Sequence, residues 1–310
     1  MLLLYKNIGF VISLDKKVQF NVPVPFIFRS IIGFQLRKMC CIARNNMCTA
    51  CMFNATCIYG FTFESIAPKN NPALAGRDRI SHPIIICSDC FAGASLNHLI
   101  LNIIFLGAAI PYIPYFFYAL KKGGEAGILK ERVPYEVCDI IEFHGTKKGK
   151  SLKIDDQQIN TQIDSDKWEY NVEKIGQTEN KFSVILASPL RYKAKGLFAH
   201  EINETEFTQC LHRRAQTLCS QYGYNDYTGE YVYSGNWTVT ERNLKWKNYQ
   251  HYSARQRNEM LLGGLVGNFV LSGKFTYYEY GLLRFAELFH AGKNTNFGLG
   301  KMMVNENGGL

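Results

Sequence analysis

Apolar and polar positions divide the chain into segments of distinct period. Near the amino terminus, Leu2–Leu4 and Phe10–Leu14 read as strands, with Asp15-Lys16-Lys17 as a turn. From Phe26 to Met39 the apolar positions 28, 31, 32 and 36 follow a helical period, and Arg29, Arg37 and Lys38 fall off that stripe. Residues 92–120 contain no Asp, Glu, Lys or Arg, a length that would span a membrane. Asn97, His98 and Asn102 early in that segment, and Pro111 and Pro114 late, argue instead for a buried strand over His98–Leu106 and a buried helix over Ala108–Lys122. Residues 151–180 alternate Asp, Gln, Asn and Glu and predict an exposed linker or edge hairpin. Beyond them, strands are expected at Phe182–Leu186, Tyr231–Thr240, Met260–Gly273 (a glycine-interrupted pair) and Lys301–Val304, with helices over Glu206–Tyr222 and Tyr280–His290. Each half mixes strands with about two helices, so the expected fold is α+β, with domains at 1–150 and 181–310 divided by the polar stretch.

Composition narrows the class. The 310 residues are 47% hydrophobic and 20% charged, which excludes a disordered chain. Net charge is +9, favouring an anionic partner, nucleic acid or an acidic membrane face. The excess is uneven: residues 1–150 carry 17 basic and 9 acidic side chains, 151–180 carry 3 and 7, and 181–310 carry 15 and 10. Ten Cys in a chain of this length, without a signal-peptide pattern, read as a reduced cytoplasmic protein and not as a disulfide scaffold.

Three stretches carry candidate chemistry. Cys41, Cys48, Cys51 and Cys57 surround a central CxxC; such spacing can assemble a four-thiolate site, with zinc as the default metal and an iron–sulfur cluster as the alternative. Cys40 can replace Cys41. A second CxxC, Cys87 to Cys90, has no companions nearby. Residues 242–257 hold five Lys or Arg and no acid, with Trp246, Tyr249 and Tyr252 interleaved. Cations meet phosphates, and flat side chains stack on unpaired bases. Arg191, Lys193 and Lys195 form a weaker basic string. Finally, His290 to Lys301 is a glycine loop with Lys293, Asn294, Thr295 and Phe297. It follows a helix and lacks a Gly-Lys-Ser/Thr ending, so it is neither a Walker loop nor a dinucleotide fingerprint.

Taken together, these pieces resemble the CRISPR-associated precursor-RNA processing endoribonucleases of the RAMP superfamily. The matching residues are Tyr252-Ser253-x-Arg255-Gln256, Gly263-Gly264-Leu265-x-Gly267, and His290-x-Gly292-Lys293-x-Thr295-x-Phe297-Gly298-Leu299-Gly300. Upstream, Ser188-Pro189-Leu190-Arg191-Tyr192-Lys193, Arg29-x-x-x-Gly33 and the Cys cluster with Cys57-Ile58-Tyr59 and Phe63-Glu64 add to it. The resemblance spans roughly residues 26–304. It implies two ferredoxin-like (RRM-type) domains in tandem, the first with a Cys-rich metal-binding insertion. It also implies cleavage of CRISPR repeat RNA without a catalytic metal, by attack of a 2′-hydroxyl on the adjacent phosphorus.

On that reading the partners are CRISPR repeat RNA or crRNA and other CRISPR effector subunits, with no membrane. The RNA-binding set is Arg29, Arg37, Lys38, Arg191, Lys193, Lys195, Lys245, Trp246, Lys247, Arg255, Gln256, Gly292, Asn294, Thr295, Phe297, Gly298 and Gly300. Many family members carry a catalytic His near the first helix, but this chain has no His before His82. His290 is therefore expected to act as acid or base, Lys293 or Arg255 to stabilise the phosphorane, and Tyr252 to orient the 2′-hydroxyl. His251, or a site without His built from Arg29, Lys38 and Tyr252, stands as the alternative. A subunit of the same folds that only binds guide RNA is the competing function.

Overall fold

The computed structural model describes residues 1–43, 47–54, 56–67, 78–90, 92–152, 154–155, 158–159, 164–170, 176–225, 231–253 and 258–306, without the side chains at 154–159 and 251–260. The chain divides into two compact units, Leu3–Lys167, and Trp168–Leu310 together with Met1–Leu2.

The first unit runs β1 (Leu2–Gln19), α1 (Val24–Cys40), β2 (Ile84–Ser88), β3 (Ser95–Leu106), α2 (Ile113–Ala126), β4 (Tyr135–His144) and β5 (Lys147–Ser151). The sheet order is β2-β3-β1-β4-β5, with every neighbour antiparallel. Alternation sets the core face. Ile8, Phe10 and Ile12 stand beside Ile103, Leu101 and Leu99 across the β1–β3 ladder, and all six are buried. Phe28, Ile32 and Leu36 of α1 and Ile113, Phe116 and Leu120 of α2 close over them. Each such side chain contributes about 1.5–3 kcal/mol on burial. The two strands expected within residues 1–20 are one strand; the expected turn at 15–17 survives as an irregularity in pairing between Ser13 and Val18.

The uncharged segment of residues 92–120 forms β3 and the start of α2. Pro114 lies in the first turn of α2, where its missing N–H costs nothing. No helix among the described residues is long and apolar enough to cross a membrane. The acidic stretch contains a small hairpin, β6 (Ile154–Asp155) with β7 (Gln158–Ile159), and then β8 (Asp166–Glu169).

The second unit runs β9 (Gln177–Leu190), β10 (Lys193–Ala194), β11 (Leu197–Phe198), α3 (Glu204–Tyr222), β12 (Gly223–Tyr224), β13 (Trp237–Ser253), β14 (Asn258–Thr276), α4 (Tyr277–Phe289) and β15 (Met302–Glu306). Its main sheet is antiparallel, in the order β13-β14-β9-β15. Asn203 caps α3 through the N–H groups of Thr205 and Glu206, and Thr276 with Glu279 forms a capping box on α4. Phe207 of α3 meets Phe269 of β14 edge to face at 5.5 Å, tying helix to sheet. The expected strand at Tyr231–Thr240 lies further along, as β13. The expected glycine-interrupted pair is one strand, β14, with Gly267 (φ 118°) at a shift in pairing with β9. Both units thus share one order of elements, strand-helix-strand-strand-helix-strand, when the small hairpins are set aside.

The expected metal-binding insertion takes a different form. Cys40, Cys48 and Cys57 pack against the core of the first unit as small apolar groups. Burial first, and then the neighbouring Cys41 and Cys57, raise the thiol pKa of Cys40; burial and Glu64 raise that of Cys48. Among the described residues no group of three or more His, Cys, Asp or Glu is placed to hold a metal ion. Cys41, Cys48, Cys51 and Cys57 are free thiols, and the structure gives the expected zinc no support. Cys87 is buried in β2.

Candidate nucleic-acid interface

The basic, aromatic stretch is a strand. In β13, Lys245 and Lys247 alternate with Trp246, so the charges and the indole lie on opposite faces. Lys245 and Lys247 are exposed, and the Lys247 ammonium sits 5.1 Å from the centre of the Tyr249 ring. On the other face, the Trp246 indole N–H donates to Asn248 Oδ1 at 2.8 Å. Gly263 lies opposite Asn248 on β14, and a Cβ there would collide with both Asn248 Oδ1 and Trp246 Nε1. The glycine of the Gly263-Gly264 motif thus makes room for the indole.

A second hairpin completes this surface. β10 and β11 pair through a turn at Lys195 (φ 48°) and Gly196 (φ 86°), which leaves Lys193 and Lys195 exposed. Phe198 of β11 carries the Arg191 guanidinium 4.0 Å above its ring, and Arg191 also donates to the carbonyls of Leu261 and Gly263. Beside Phe198, the exposed His200 ring lies 4.5 Å from Trp246. A cavity of about 410 Å³ opens next to it, between Lys195, His200, Glu201 and Glu206. The Trp246 face of the second unit therefore presents Arg191, Lys193 and Lys195 around Phe198, His200 and Trp246, while Lys245, Lys247 and Tyr249 stand on the opposite face of β13. Each face thus sets cations for phosphates beside flat side chains for bases. Phe198 and His200 gave no signal in sequence, because their partner Trp246 is distant along the chain.

The glycine loop is mostly packed inward. Its backbone is tied to the end of β9: Lys293 N–H donates to Arg191 O at 2.7 Å, Gly300 N–H to Pro189 O at 2.9 Å, and Lys301 N–H to Ser188 Oγ at 2.8 Å. A Cβ at Gly292 would strike Arg191 O, and one at Gly300 would strike Ala291 O; both glycines have positive φ. Thr295, Phe297, Gly298 and Gly300 are buried, so the expected role of these residues in touching RNA is corrected by their packing. Gly292 and Asn294 are half-buried, and Lys293 is the exposed cation of the loop.

Arg214, itself buried, holds this arrangement. It donates to the carbonyls of Phe289 and His290 at the end of α4 and to Thr295 Oγ1 at 2.8 Å. Burial lowers its pKa to about 10.

His290 is 1% exposed, and its Nδ1–H donates to Leu299 O at 3.1 Å. Burial first, and then the nearby Lys301 charge, lower its pKa to about 3. The imidazole is a neutral structural group that ties the helix end to the loop, not a proton carrier open to RNA.

The remaining candidates scatter. Arg29 and Arg37 are half-buried on α1, their guanidiniums 5.1 Å and 5.8 Å from the Phe63 and Tyr59 rings. Gly33 lets Phe63 lie against the helix. Lys38 is exposed. Arg255 and Gln256 lie outside the described residues, as does the Tyr252 side chain.

Comparison with known proteins places this geometry. A family model described as an N-terminal domain (AF_1859_N) matches residues 3–164, and the model described as CRISPR-associated endoribonuclease Cas6 matches residues 184–302. Thermus thermophilus Cas6 (TTHB231) is 10% identical over 98% of this chain and 99% of its own, with a TM-score of 0.52. A product complex of Cas6 (TTHB231) is 12% identical over 97% and 99%, also with a TM-score of 0.52. A chain of a partial Cas6-RT-Cas1–Cas2 complex is 10% identical over 98% of this chain and 46% of its own, at the same TM-score. At these identities the likeness is one of fold. No curated protein matches the sequence significantly. Residues 184–302 thus match the CRISPR-associated endoribonuclease Cas6 family, and the chain shares the fold of solved Cas6 structures along nearly its whole length.

Proposed function

We propose that this protein processes CRISPR precursor RNA in the cytoplasm, cleaving within the repeat without a catalytic metal. Its two units are read as ferredoxin-like domains in tandem, from their common strand-helix-strand-strand-helix-strand order and antiparallel sheets. The observation that carries the reading is the surface where exposed Lys193 and Lys195, with Arg191, surround Phe198, Trp246 and His200, with Lys245 and Lys247 exposed on the other face of β13. It lies within the segment that matches the endoribonuclease family. Lys293 emerges beside Arg191 and adds a cation to phosphates on that surface.

In the proposed reaction a base takes the proton of a ribose 2′-hydroxyl, the 2′ oxygen attacks the adjacent phosphorus, and the 5′ oxygen leaves. Cations steady the charge of the phosphorane. The products are a 2′,3′-cyclic phosphate and a 5′-hydroxyl. One similar structure is a Cas6 product complex and another contains Cas1–Cas2, which supports RNA and other CRISPR proteins as partners. The test is incubation with repeat RNA in EDTA and mapping of both product ends. Cyclic-phosphate ends support the proposal. RNA bound and left intact would assign the chain to guide-RNA binding alone.

A further inference from the structure

One polar cluster in the first unit has no part in the surface just described. β4 and β5 are joined by a turn at Gly145 (φ 63°), and Asn7 Nδ2 pins it by donating to Gly145 O at 2.9 Å. His144 enters that turn and pairs with Lys147 across it. Its ring lies over Gly149, where a Cβ would stand 3.1 Å from Cδ2 and 3.3 Å from Nε2. Nδ1–H donates to Asp166 Oδ1 at 3.0 Å. Asp166 is held from behind by Lys6, whose Nζ is 3.5 Å from Oδ2 and also pairs with Glu142. Lys6 is 1% exposed, whereas the His144 side chain is 57% exposed. Lys147, Lys148 and Lys150 are exposed on the same hairpin, and residues 143–150 contain no acid.

Burying an ammonium with carboxylates is a poor way to gain stability. A half-buried carboxylate aimed at Nδ1 of an exposed imidazole is, however, the arrangement that orients a general base. It fixes the tautomer, places the lone pair on Nε2, and stabilises the imidazolium formed on proton capture. We propose that His144 is the general base of this ribonuclease, with Asp166 as its positioning residue and the lysines of the hairpin as phosphate ligands. The assignment rests on the ribonuclease reading above. His144 Nε2 takes the proton of the 2′-hydroxyl. The 2′ oxygen bonds to phosphorus, and the 5′ oxygen departs with the electron pair of the broken P–O bond. Water protonates that oxygen, and the imidazolium returns its proton to the resulting hydroxide.

The experiment is single-turnover cleavage of repeat RNA by the full chain at saturating protein in EDTA, with RNA affinity measured in parallel. His144→Ala and His144→Gln should each slow cleavage by roughly 10²–10⁴-fold with affinity held within a few fold. Asp166→Asn should slow it by about 10–100-fold at unchanged affinity. Added imidazole should restore part of the rate to His144→Gly. Cleavage by both His144 variants at the wild-type rate would overturn the assignment while leaving the ribonuclease reading intact. So would a defect that disappears at saturating protein, since that marks a binding role. A wild-type protein that binds but never cuts would remove the ribonuclease reading, and this assignment with it.

Discussion

Replacing Arg214 by Met tests whether one buried cation holds the glycine loop in place. The guanidinium makes three hydrogen bonds, two to carbonyls at the end of α4 and one to Thr295 Oγ1. Bonds from a charged donor are worth about 1.5–3 kcal/mol each. Against them stands the cost of burying the charge. Lowering the pKa from 12.5 to about 10 corresponds to about 3 kcal/mol. The carboxyl end of α4 offsets part of that cost, since its partial negative charge favours a cation. The three bonds outweigh the burial cost by roughly 1.5–6 kcal/mol, so Arg214→Met, which keeps the volume, should lose about that much and leave the acceptors unpaired. For a unit of this size that is a fall in Tm of about 5–15 °C in the transition of the second unit. Thermal unfolding followed by circular dichroism reads the shift. Arg214→Lys should fall between, because an ammonium cannot fork between helix end and hydroxyl. A Met variant that melts within about 1 °C of the wild type would refute the reasoning, placing the hold on the loop elsewhere.

Other outcomes follow from the same geometry. His290→Gln should keep cleavage while lowering stability, and it should also flatten the acid sensitivity of the fold. The buried imidazole binds its proton only near pH 3, the unfolded chain near pH 6.5, so the unfolded state holds more protons between those values. The wild type should therefore lose up to about 5 kcal/mol as pH falls through that window, and urea titrations at several pH values on both proteins check it. Trp246→Ala should weaken RNA binding by about 1–3 kcal/mol in a polarisation assay. Lys247→Ala should lower the dependence of affinity on salt by about one unit of slope. Gly300→Ala should destabilise the second unit by at least about 1–3 kcal/mol, since its Cβ would overlap Ala291 O at φ 75°; an unchanged urea midpoint would show that the loop repacks at no cost.

Much of the architecture was legible in the residues, because period and burial obey local rules. The apolar stripe at 28, 32 and 36 is the buried face of α1, and the uncharged segment with its prolines is a strand followed by a helix. The acid-free stretch at 242–257 reads from composition as a surface for phosphates, and of it Lys245 and Lys247 are exposed, as charge in water requires. What only the tertiary structure decided were matters of distance along the chain and of depth. Glycines suit a loop that approaches a phosphate and equally one that approaches its own backbone. Here the neighbour is the end of β9, and His290 is drawn inside with the loop. Crowded cysteines suit a metal or a core, and the packing beneath α1 uses Cys40, Cys48 and Cys57 as apolar filling. His144 carried no local sign of function, because the carboxylate that orients it and the lysine behind that carboxylate arrive from β8 and β1. A side chain's type and spacing are written locally, but its partners and its access to solvent are set by which strands the fold lays side by side.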